Sequence, residues 1–345
     1  MADVYVDPAG SATSPYDTWA KALTTVQAAA DYATAGDVVY CRHPVDEPET
    51  PSAQIDFDTN SCTNGTAATI RFVGCNADGD VDGTRYHLSF GNNACHGVVF
   101  DGVEHVYLEN FEISSSAVGS YDGVTEANAY CHGVSLINCY IHGWPNCGMV
   151  NYAYIRYGIF ARCRFSGCGS YGVYSRYSTF IGCTFDDNTS FGVFASTGTN
   201  LINCLIHSNN GDGVYTAGLG NIIHNCIIDR NTSDGIFLNS DEGGLLSGTR
   251  ITNNDGYGIK CGTEDFDIIN TLGCYFDNNS SSNVNNASYQ VIHQINWDGT
   301  GTTDIIDGTD SDLGGGGDGG YINGASGDYN LSDDASLFSR PIALQ

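Results

Sequence analysis

Asn203-Cys204-Leu205-Ile206 and Asn225-Cys226-Ile227-Ile228 are two nearly identical stretches that lie 22 residues apart, since 226 minus 204 is 22. The same pattern recurs along the middle of the chain, with one threonine replacing cysteine, at Cys139, Cys163, Cys183, Cys204, Cys226, Thr249 and Cys274. A repeat of this length is typical of a solenoid, in which each repeat forms one turn that stacks on the next. Side chains that recur once per repeat are therefore expected to lie one above another, so function must be sought across turns.

The cysteine of each repeat is expected to point into the core. Cys204 and Ile206 are two residues apart and share one face of a strand, and that face is apolar. Stacked turns would place successive thiols about 4.8 Å apart. We interpret them as free thiols that pack as small hydrophobic groups, while disulfides among the other cysteines stay open. The chain has no C-x-x-C pair, so no metal site is predicted.

Two further series run in register with the cysteines. One is a glycine that directly precedes a short strand, at Gly148, Gly172, Gly192, Gly213, Gly235 and Gly258. The other is an asparagine five residues after the cysteine position, at Asn188, Asn209, Asn231, Asn254 and Asn279. Stacked asparagines at a turn can hydrogen-bond to one another and to the backbone, which predicts a structural ladder.

These series together resemble the right-handed parallel β-helix superfamily, the pectate-lyase-like solenoids. Asp7-Pro8-Ala9-Gly10 and Gly36-Asp37-Val38-Val39-Tyr40 are similar to the usual beginning of such helices. The resemblance implies an all-β, right-handed parallel β-helix solenoid with an N-terminal capping helix. That helix is expected from about Trp19 to Ala33, with Asp17 or Thr18 as its N-cap.

The chain divides into three predicted regions. Residues 1–40 form an N-terminal strand and capping helix that protects the open end of the solenoid. Residues 41–280 form the parallel β-helix, with regular turns over 136–280. Residues 281–345 leave the pattern and are expected to form a C-terminal cap or loop segment.

The charge balance excludes some partners. Asp and Glu number 40 against 12 Lys and Arg, a net charge of -28, which argues against nucleic acid and anionic membranes. Polyanionic glycans would need calcium as a bridge. No apolar stretch approaches the roughly 20 residues of a membrane span, so no membrane insertion is expected. The first residues also lack the basic and apolar segments of a secretory signal.

One outward stripe of the repeats is mostly aromatic. If Val173 and Ser175 point inward, Tyr174 points outward. The matching positions in the following repeats are Phe194, Tyr215 and Phe237. Three interpretations stay open for this stripe: stacking against sugar rings, a subunit interface such as that of a homotrimer, or cover by a loop or the C-terminal segment.

A second outward stripe is polar and contains Asp186, His207 and Asp229 on successive repeats. Asp186 and Asp229 would lie about 9.6 Å apart, two steps of about 4.8 Å, close to the separation of the carboxyl groups in inverting glycosidases. The alternative is a solvated polar stripe without catalytic role. Nearby, Arg164 and Arg176 could bind an acidic sugar or pair with neighbouring acids.

No cofactor is predicted, with Ca²⁺ as the one alternative. Asp212 and Asp234 each precede a repeat glycine, where acidic turn residues are common. Together with Asp241 and Glu242 they could supply calcium ligands, although no fixed spacing supports such a site.

The catalytic motifs of polygalacturonase-like members of the superfamily are missing. Asp186-Asp187 is present, but Gly-His-Gly, Arg-Ile-Lys and Asn-Thr-Asp are not, and the chain has only two lysines. We therefore favour a non-enzymatic virion-type protein, such as a phage spike, fibre or capsid-decoration protein, that binds cell-surface glycan or other virion subunits. It would be assembled in the host cytoplasm. The alternative is an extracellular polysaccharide lyase or glycoside hydrolase, so catalysis stays open.

Overall fold

The computed structural model describes residues 2–298 apart from 44–46, 59–68, 128, 153, 240–243, 263–268 and 286–291. Within 269–272, 282–285 and 292–298 only the backbone is described. The expectations for Asp241, Glu242 and residues 299–345 therefore lie outside the described residues.

The elements are two short helices and a long series of short strands. The helical elements are a 3₁₀ helix, Trp19–Lys21, and the α-helix α1, Val26–Tyr32. Strands β1 to β12 are Asp3–Val6, Val38–Arg42, Ile55–Phe57, Ile70–Cys75, Tyr86–Ser89, Val98–Phe100, Val106–Glu109, Phe111–Ser114, Val124–Glu126, Cys131–His132, Ser135–Ile137 and Tyr140–His142. Strands β13 to β22 are Met149–Val150, Ile155–Arg156, Gly158–Ala161, Arg164–Ser166, Val173–Ser175, Ser178–Ile181, Thr184–Asp186, Val193–Ala195, Asn200–Ile202 and Leu205–His207. Strands β23 to β32 are Val214–Thr216, Ile222–His224, Ile227–Asp229, Ile236–Leu238, Gly244–Ser247, Arg250–Thr252, Tyr257–Cys261, Ile269–Asp277, Ser282–Asn285 and Ile292–Asp298.

Each regular turn contains three strands. In one turn these are β18, β19 and β20, and each pairs in parallel with the corresponding strand of the next turn, β21, β22 and β23. In such a turn the first two strands belong to one 20-stranded sheet and the third belongs to a 10-stranded sheet, while the additional short strands β10 and β14 pair with each other in a separate two-stranded sheet. The predicted all-β parallel β-helix is therefore confirmed.

Left-handed backbone bends separate the strands of a turn. Between the first and second strands the bend is made by Arg162, Gly182, Asn203 or Asn225, each with φ between 52° and 62°. Asparagine and glycine adopt this conformation at little cost, which explains the Asn-Cys pairs of the repeat. The bend turns the following cysteine into the core.

The cysteine series lies inside the solenoid, as predicted. All six cysteines of the series are buried and form no disulfide. Thr249, which replaces a cysteine, is buried in the same position. Burial raises the pKa of the Cys163 thiol well above its usual value, which keeps this thiol protonated and unreactive.

The asparagine ladder is also confirmed. Asn188 donates from Nδ2 to Oδ1 of Asn209 at 2.9 Å, and Asn209 donates in the same way to Asn231 at 3.0 Å. The series continues through Asn254 to Asn279. Each amide oxygen also accepts a backbone N–H from the preceding turn, so the ladder satisfies buried backbone groups at every turn.

The repeat glycines allow the turns to approach closely. A Cβ atom on Gly213 would lie 2.6 Å from Cγ2 of Ile228 and 2.7 Å from the carbonyl oxygen of Gly235. Both distances are too short for non-bonded atoms, so only glycine fits at this position.

The N-terminal helix is present but shorter than predicted. It starts at Val26 with Thr25 as N-cap, whose hydroxyl accepts from the N–H of Ala28, so the predicted start near Trp19 with Asp17 or Thr18 as cap is wrong. The reason is that Leu23 pairs with the first strand, accepting from the N–H of Asp7 and donating to Tyr5. This pairing is incompatible with a continuous helix.

The C-terminal end of the described chain continues the solenoid. Strands β31 and β32 pair in parallel with β29 and β30, so strand pairing extends past residue 280. In the described part of the chain, no helix combines the length and apolar character needed to cross a membrane.

Candidate functional site

The aromatic column is formed by Tyr174, Phe194, Tyr215 and Phe237, which lie directly opposite one another on four successive turns. Their side chains point away from the core and are half-buried. Ring centroids of Tyr174 and Phe194 are 4.6 Å apart with planes 13° from parallel, and those of Phe194 and Tyr215 are 4.9 Å apart at 25°. The predicted stripe is therefore present as a stack.

A shorter parallel stack, which was not predicted, lies beside this column. Tyr171 and Phe191 stack at 5.2 Å with planes 1° from parallel, and Phe191 also stacks on Tyr215 at 4.9 Å. The sequence contains a pattern that could have predicted this stack, because both residues directly precede a repeat glycine. The next residues in that position are Asp212 and Asp234, so the second stack ends there.

The stacking of the rings determines which parts of the aromatic column a ligand can contact. Neighbouring rings cover each other's faces, so the rings of Phe194 and Tyr215 present mainly their edges to the outside. At the C-terminal end of the column, the ring of Phe237 is nearly perpendicular to that of Tyr215. The ammonium group of Lys260 lies 4.9 Å from the centroid of the Phe237 ring. A sugar ring stacks on an exposed aromatic face, which this column does not present in its middle.

Asp186, His207 and Asp229 lie in register on three successive turns, as predicted. Asp186, however, is only 1% exposed and not part of a solvated stripe. Arg164 lies over it and donates to both carboxylate oxygens, at 2.9 Å for Nε, and Ser166 also contacts it. The predicted exposure of Asp186 is therefore wrong, because the Arg164 side chain from the preceding turn covers it.

Both aspartates of this line have a lowered pKa. Burial alone would raise the pKa of Asp186, but the ion pair with Arg164 outweighs it. For Asp229, burial is outweighed by hydrogen bonds from Asn253 and Thr252 and by the ion pair with Arg230. Both carboxylates are therefore ionised at neutral pH.

The polar patch is a second group of outward side chains on the second strand of successive turns. Register places His87 opposite Glu112, Glu112 opposite Tyr140, and Tyr140 opposite Arg164. His142 lies two residues after Tyr140 and stacks on it, with ring centroids 4.2 Å apart. We define the polar patch by these residues together with Asp186: His87, Glu112, Tyr140, His142, Arg164 and Asp186.

The centre of the polar patch is an imidazole–carboxylate cluster. Nε2 of His142 lies 3.0 Å from Oε1 of Glu112, and Nε2 of His87 lies 3.7 Å from the same oxygen. The side chains of these three residues are 24% to 30% exposed, so they are reachable from solvent. The hydrogen bond from His142 lowers the pKa of Glu112, and burial lowers the pKa of His87.

Cationic side chains surround the phenol of the patch. The guanidinium of Arg164 lies 5.1 Å, and that of Arg85 5.8 Å, from the Tyr140 ring centroid. Arg85 is anchored by hydrogen bonds to Asn138, with Nε 2.8 Å from its carbonyl oxygen. The patch thus combines acidic, basic and aromatic groups on one surface.

The remaining predicted residues lie elsewhere. Arg176 packs its guanidinium over the ring of Tyr177 and takes no part in the polar patch. Asp212 and Asp234 are buried, and each accepts a backbone N–H from the next turn. Lys260 also pairs with Asp234 at 3.3 Å, so these carboxylates hold turns together.

The grouping of His87, Glu112, Tyr140 and His142 was not predicted. Tyr140 and His142 lie one and three residues after Cys139, so the repeat could have placed them. His87 and Glu112 precede the regular turns, where insertions of different length hide the register. No repeat marker identifies their strands.

Comparison with known proteins agrees with the fold. Residues 71–221 and 175–296 match the family described as right handed beta helix region, and together these ranges span well over half of the chain. No curated protein sequence matches the chain.

Several solved structures share this architecture. The chain is similar to pectate lyase Pel9A, with a TM-score of 0.61 and 17% identity over 84% of this chain and 79% of that one. It is similar to ORF18 of Geobacillus virus E2, with a TM-score of 0.58 and 16% identity over 86% of this chain and 60% of that one. It is also similar to a mutant tailspike protein of E. coli bacteriophage HK620, with a TM-score of 0.56 and 14% identity over 81% of this chain and 59% of that one. This chain therefore spans about three fifths of each viral protein, and such low identities show the fold alone.

Proposed function

The chain belongs to the right-handed β-helix family, and on that basis we propose that it is the body of a non-enzymatic virion protein that binds a cell-surface glycan. A spike, fibre or decoration protein fits this description. The observation that carries the proposal is the polar patch, which presents carboxylate, imidazole, phenol and guanidinium groups on four successive turns. From His87 to Arg164 this row extends about 14 Å, three steps of about 4.8 Å. Such a row is suited to the hydroxyl groups of an extended sugar chain.

The protonation states of Asp186 and Asp229 support binding over hydrolysis. An inverting glycosidase needs one protonated carboxyl group as general acid and one ionised carboxylate as base. The pKa of both aspartates is lowered, so neither carries a proton near neutral pH. Asp186 is also covered by Arg164, which leaves it no access to a glycosidic oxygen.

Net charge points to the kind of glycan. A chain with a net charge of -28 repels polyanionic polymers, so the favoured ligand is a neutral glycan. Two of the similar structures are viral proteins, and another structure of the HK620 tailspike is in complex with a pentasaccharide. These likenesses support the choice of a virion role within the family.

The test is a binding assay with purified protein against panels of neutral and acidic glycans and whole bacterial cells. We expect Tyr140→Ala to weaken binding at least tenfold, because it removes the aromatic ring at the centre of the patch. Ile227→Ala is the matched control, since Ile227 lies in the same outward column as Tyr140, four turns further on. Binding that is equal in both variants would refute the patch as the site.

The same preparation tests the enzymatic alternative. Reducing-sugar release and the ultraviolet absorbance of unsaturated products should both stay at background with every glycan. Activity that disappears in Asp186→Asn or Asp229→Asn would replace the binding proposal with a hydrolase or lyase.

For the aromatic column we propose packing against a neighbouring subunit, as in a homotrimer. Its exposed ring edges form a continuous apolar strip, which suits burial against protein better than stacking on sugar. Light scattering should give about three chain masses for the wild type and a lower mass for Phe194→Glu. Thr179→Glu, on the outer face of the other sheet, is the control. A monomeric wild type would contradict this assignment.

The virion location has its own test, which needs no purified protein. Capsid or portal genes next to this gene would support assembly in the host cytoplasm. Sugar transporter genes in their place would favour the extracellular enzyme.

A further inference from the structure

We propose that His87, Glu112 and His142 form a binding site for a divalent transition-metal ion, with zinc as the ion that the ligand set favours. The inference goes beyond glycan binding and does not depend on it. The three residues come from three successive turns, on strands β5, β8 and β12, so the solenoid backbone holds them in a fixed arrangement.

The distances between the donor atoms fit a metal site. The three donor atoms all lie within 4.8 Å of one another, with Nε2 of His142 and Nε2 of His87 at 3.0 Å and 3.7 Å from Oε1 of Glu112. Ligands about 2.0–2.1 Å from a tetrahedral zinc ion are separated by about 3.3 Å. Small side-chain rotations would therefore bring all three atoms to coordination distance.

The ligand chemistry selects the class of metal. Two imidazoles and one carboxylate suit zinc and neighbouring transition metals, whereas calcium and magnesium prefer oxygen ligands. Three protein ligands on an accessible surface leave a fourth position for water or a ligand oxygen, which is typical of reactive zinc sites. Ser114 Oγ lies 2.8 Å from Nε2 of His87, so metal binding would replace this hydrogen bond.

The local charges agree with this assignment. Metal binding requires neutral imidazoles and an ionised carboxylate. Among the described residues, the carboxylate of Glu112 contacts the two imidazole rings, while the guanidinium of the nearby Arg85 is bound to Asn138.

A metal ion would also change which glycans can approach. One divalent charge on the polar patch would offset the negative field of the chain at that point. An acidic sugar could then place a carboxylate oxygen in the open coordination position.

The test is metal binding by the full-length protein in the absence of any glycan. After treatment with a chelator, titration calorimetry with Zn²⁺ should give one site per chain, and Co²⁺ should give a visible spectrum of a low-coordinate site. His142→Gln and His87→Gln should each weaken binding at least tenfold. His207→Gln is the matched control, because His207 lies in the same outward column as His142 but outside the cluster.

The outcomes separate clearly. Loss of binding in both cluster variants, with wild-type affinity in His207→Gln and unchanged metal-free thermal unfolding, supports the site. No zinc binding by the wild type, equal binding by all variants, or a Co²⁺–thiolate charge-transfer band would overturn it. Because no glycan is present, failure here leaves the result of the glycan assay unaffected, and the reverse also holds.

Discussion

The regular turns of the solenoid and the irregular turns before them fill equivalent positions differently. Five residues after the cysteine position, the regular turns carry the buried asparagine ladder from Asn188 onward. Two turns earlier, in the first regular turn, Trp144 occupies this position, its ring packs against Phe90, and its Nε1 donates to the carbonyl of Ile113. The ladder is therefore absent from the regular turns that lie next to the irregular ones.

This contrast shows where side chains become available for ligands. In the regular turns, identical residues in register bind each other, as the asparagines and the aromatic rings do. Where the irregular turns meet the first regular turn, unlike residues lie in register, and the cluster of His87, Glu112 and His142 results. Repetition thus stabilises the solenoid, and departures from repetition bring reactive groups together.

The largest effect is expected from breaking the ladder at Asn209. Asn209→Ala leaves the N–H of Asn188 and the carbonyl of Phe185 without their buried partners. Each buried unsatisfied group costs about 1–3 kcal/mol, so we expect the free energy of unfolding to fall by about 3–5 kcal/mol in a urea titration.

Asn225→Gly is the control for this experiment. Asn225 donates to Asn203 in an exposed pair and has φ of 52°, which glycine also adopts. We expect a loss below about 1 kcal/mol. Equal losses in both variants would mean that the buried ladder contributes no more than an exposed asparagine pair.

An intermediate effect is expected at Asp186, the buried member of the polar patch. Since Arg164 is partly exposed, Asp186→Asn should cost about 1–2 kcal/mol at neutral pH. The folded-state pKa of Asp186 is lowered, so this stabilisation is present above the unfolded pKa of about 3.9 and is lost as pH falls through the folded value.

The measurement is the free energy of unfolding as a function of pH. Asp186→Asn should flatten the loss of stability that the wild type shows below about pH 4. Asp255→Asn is the control, because Asp255 is an exposed aspartate that lies outside this ion pair. If the free energy of unfolding of Asp186→Asn decreased as steeply at acidic pH as that of the wild type, the ion pair would not be the source of this stability.

The smallest effect is expected from Cys204→Thr. Thr249 already occupies the cysteine position of one turn, donating to the carbonyl of Ser247 and accepting from the N–H of Cys226. Cys204→Thr should therefore change the free energy of unfolding by less than about 1 kcal/mol, whereas Cys204→Leu should cost about 1–3 kcal/mol by overpacking. A threonine variant as unstable as the leucine variant would show that the thiol itself is required.

Periodicity in the sequence was sufficient for much of the architecture. The buried cysteines, the asparagine ladder and the alignment of Tyr174 with Phe194 follow from counting residues between equivalent positions. The start of α1 was predicted wrongly, because apolar spacing near Leu23 fits both a helix and the strand pairing that the structure contains. Local pattern alone does not distinguish these two outcomes.

The candidate site was predictable only in part. The line of Asp186, His207 and Asp229 was placed in the correct register, but its contacts with Arg164 and Arg230 depend on side-chain length and direction. Counting residues gives the face of a strand and leaves open which neighbour covers a charged group.

By itself the sequence determined the turn length, the inward and outward positions and the stacking of like residues, because strand pairing and side-chain alternation have fixed periods. Only the tertiary structure decided that His87, Glu112 and His142 meet on one surface. Insertions of unequal length separate these residues along the chain, and parallel pairing of β5, β8 and β12 removes that separation in space. The same packing buried Asp186 beneath Arg164 and turned the aromatic faces toward each other.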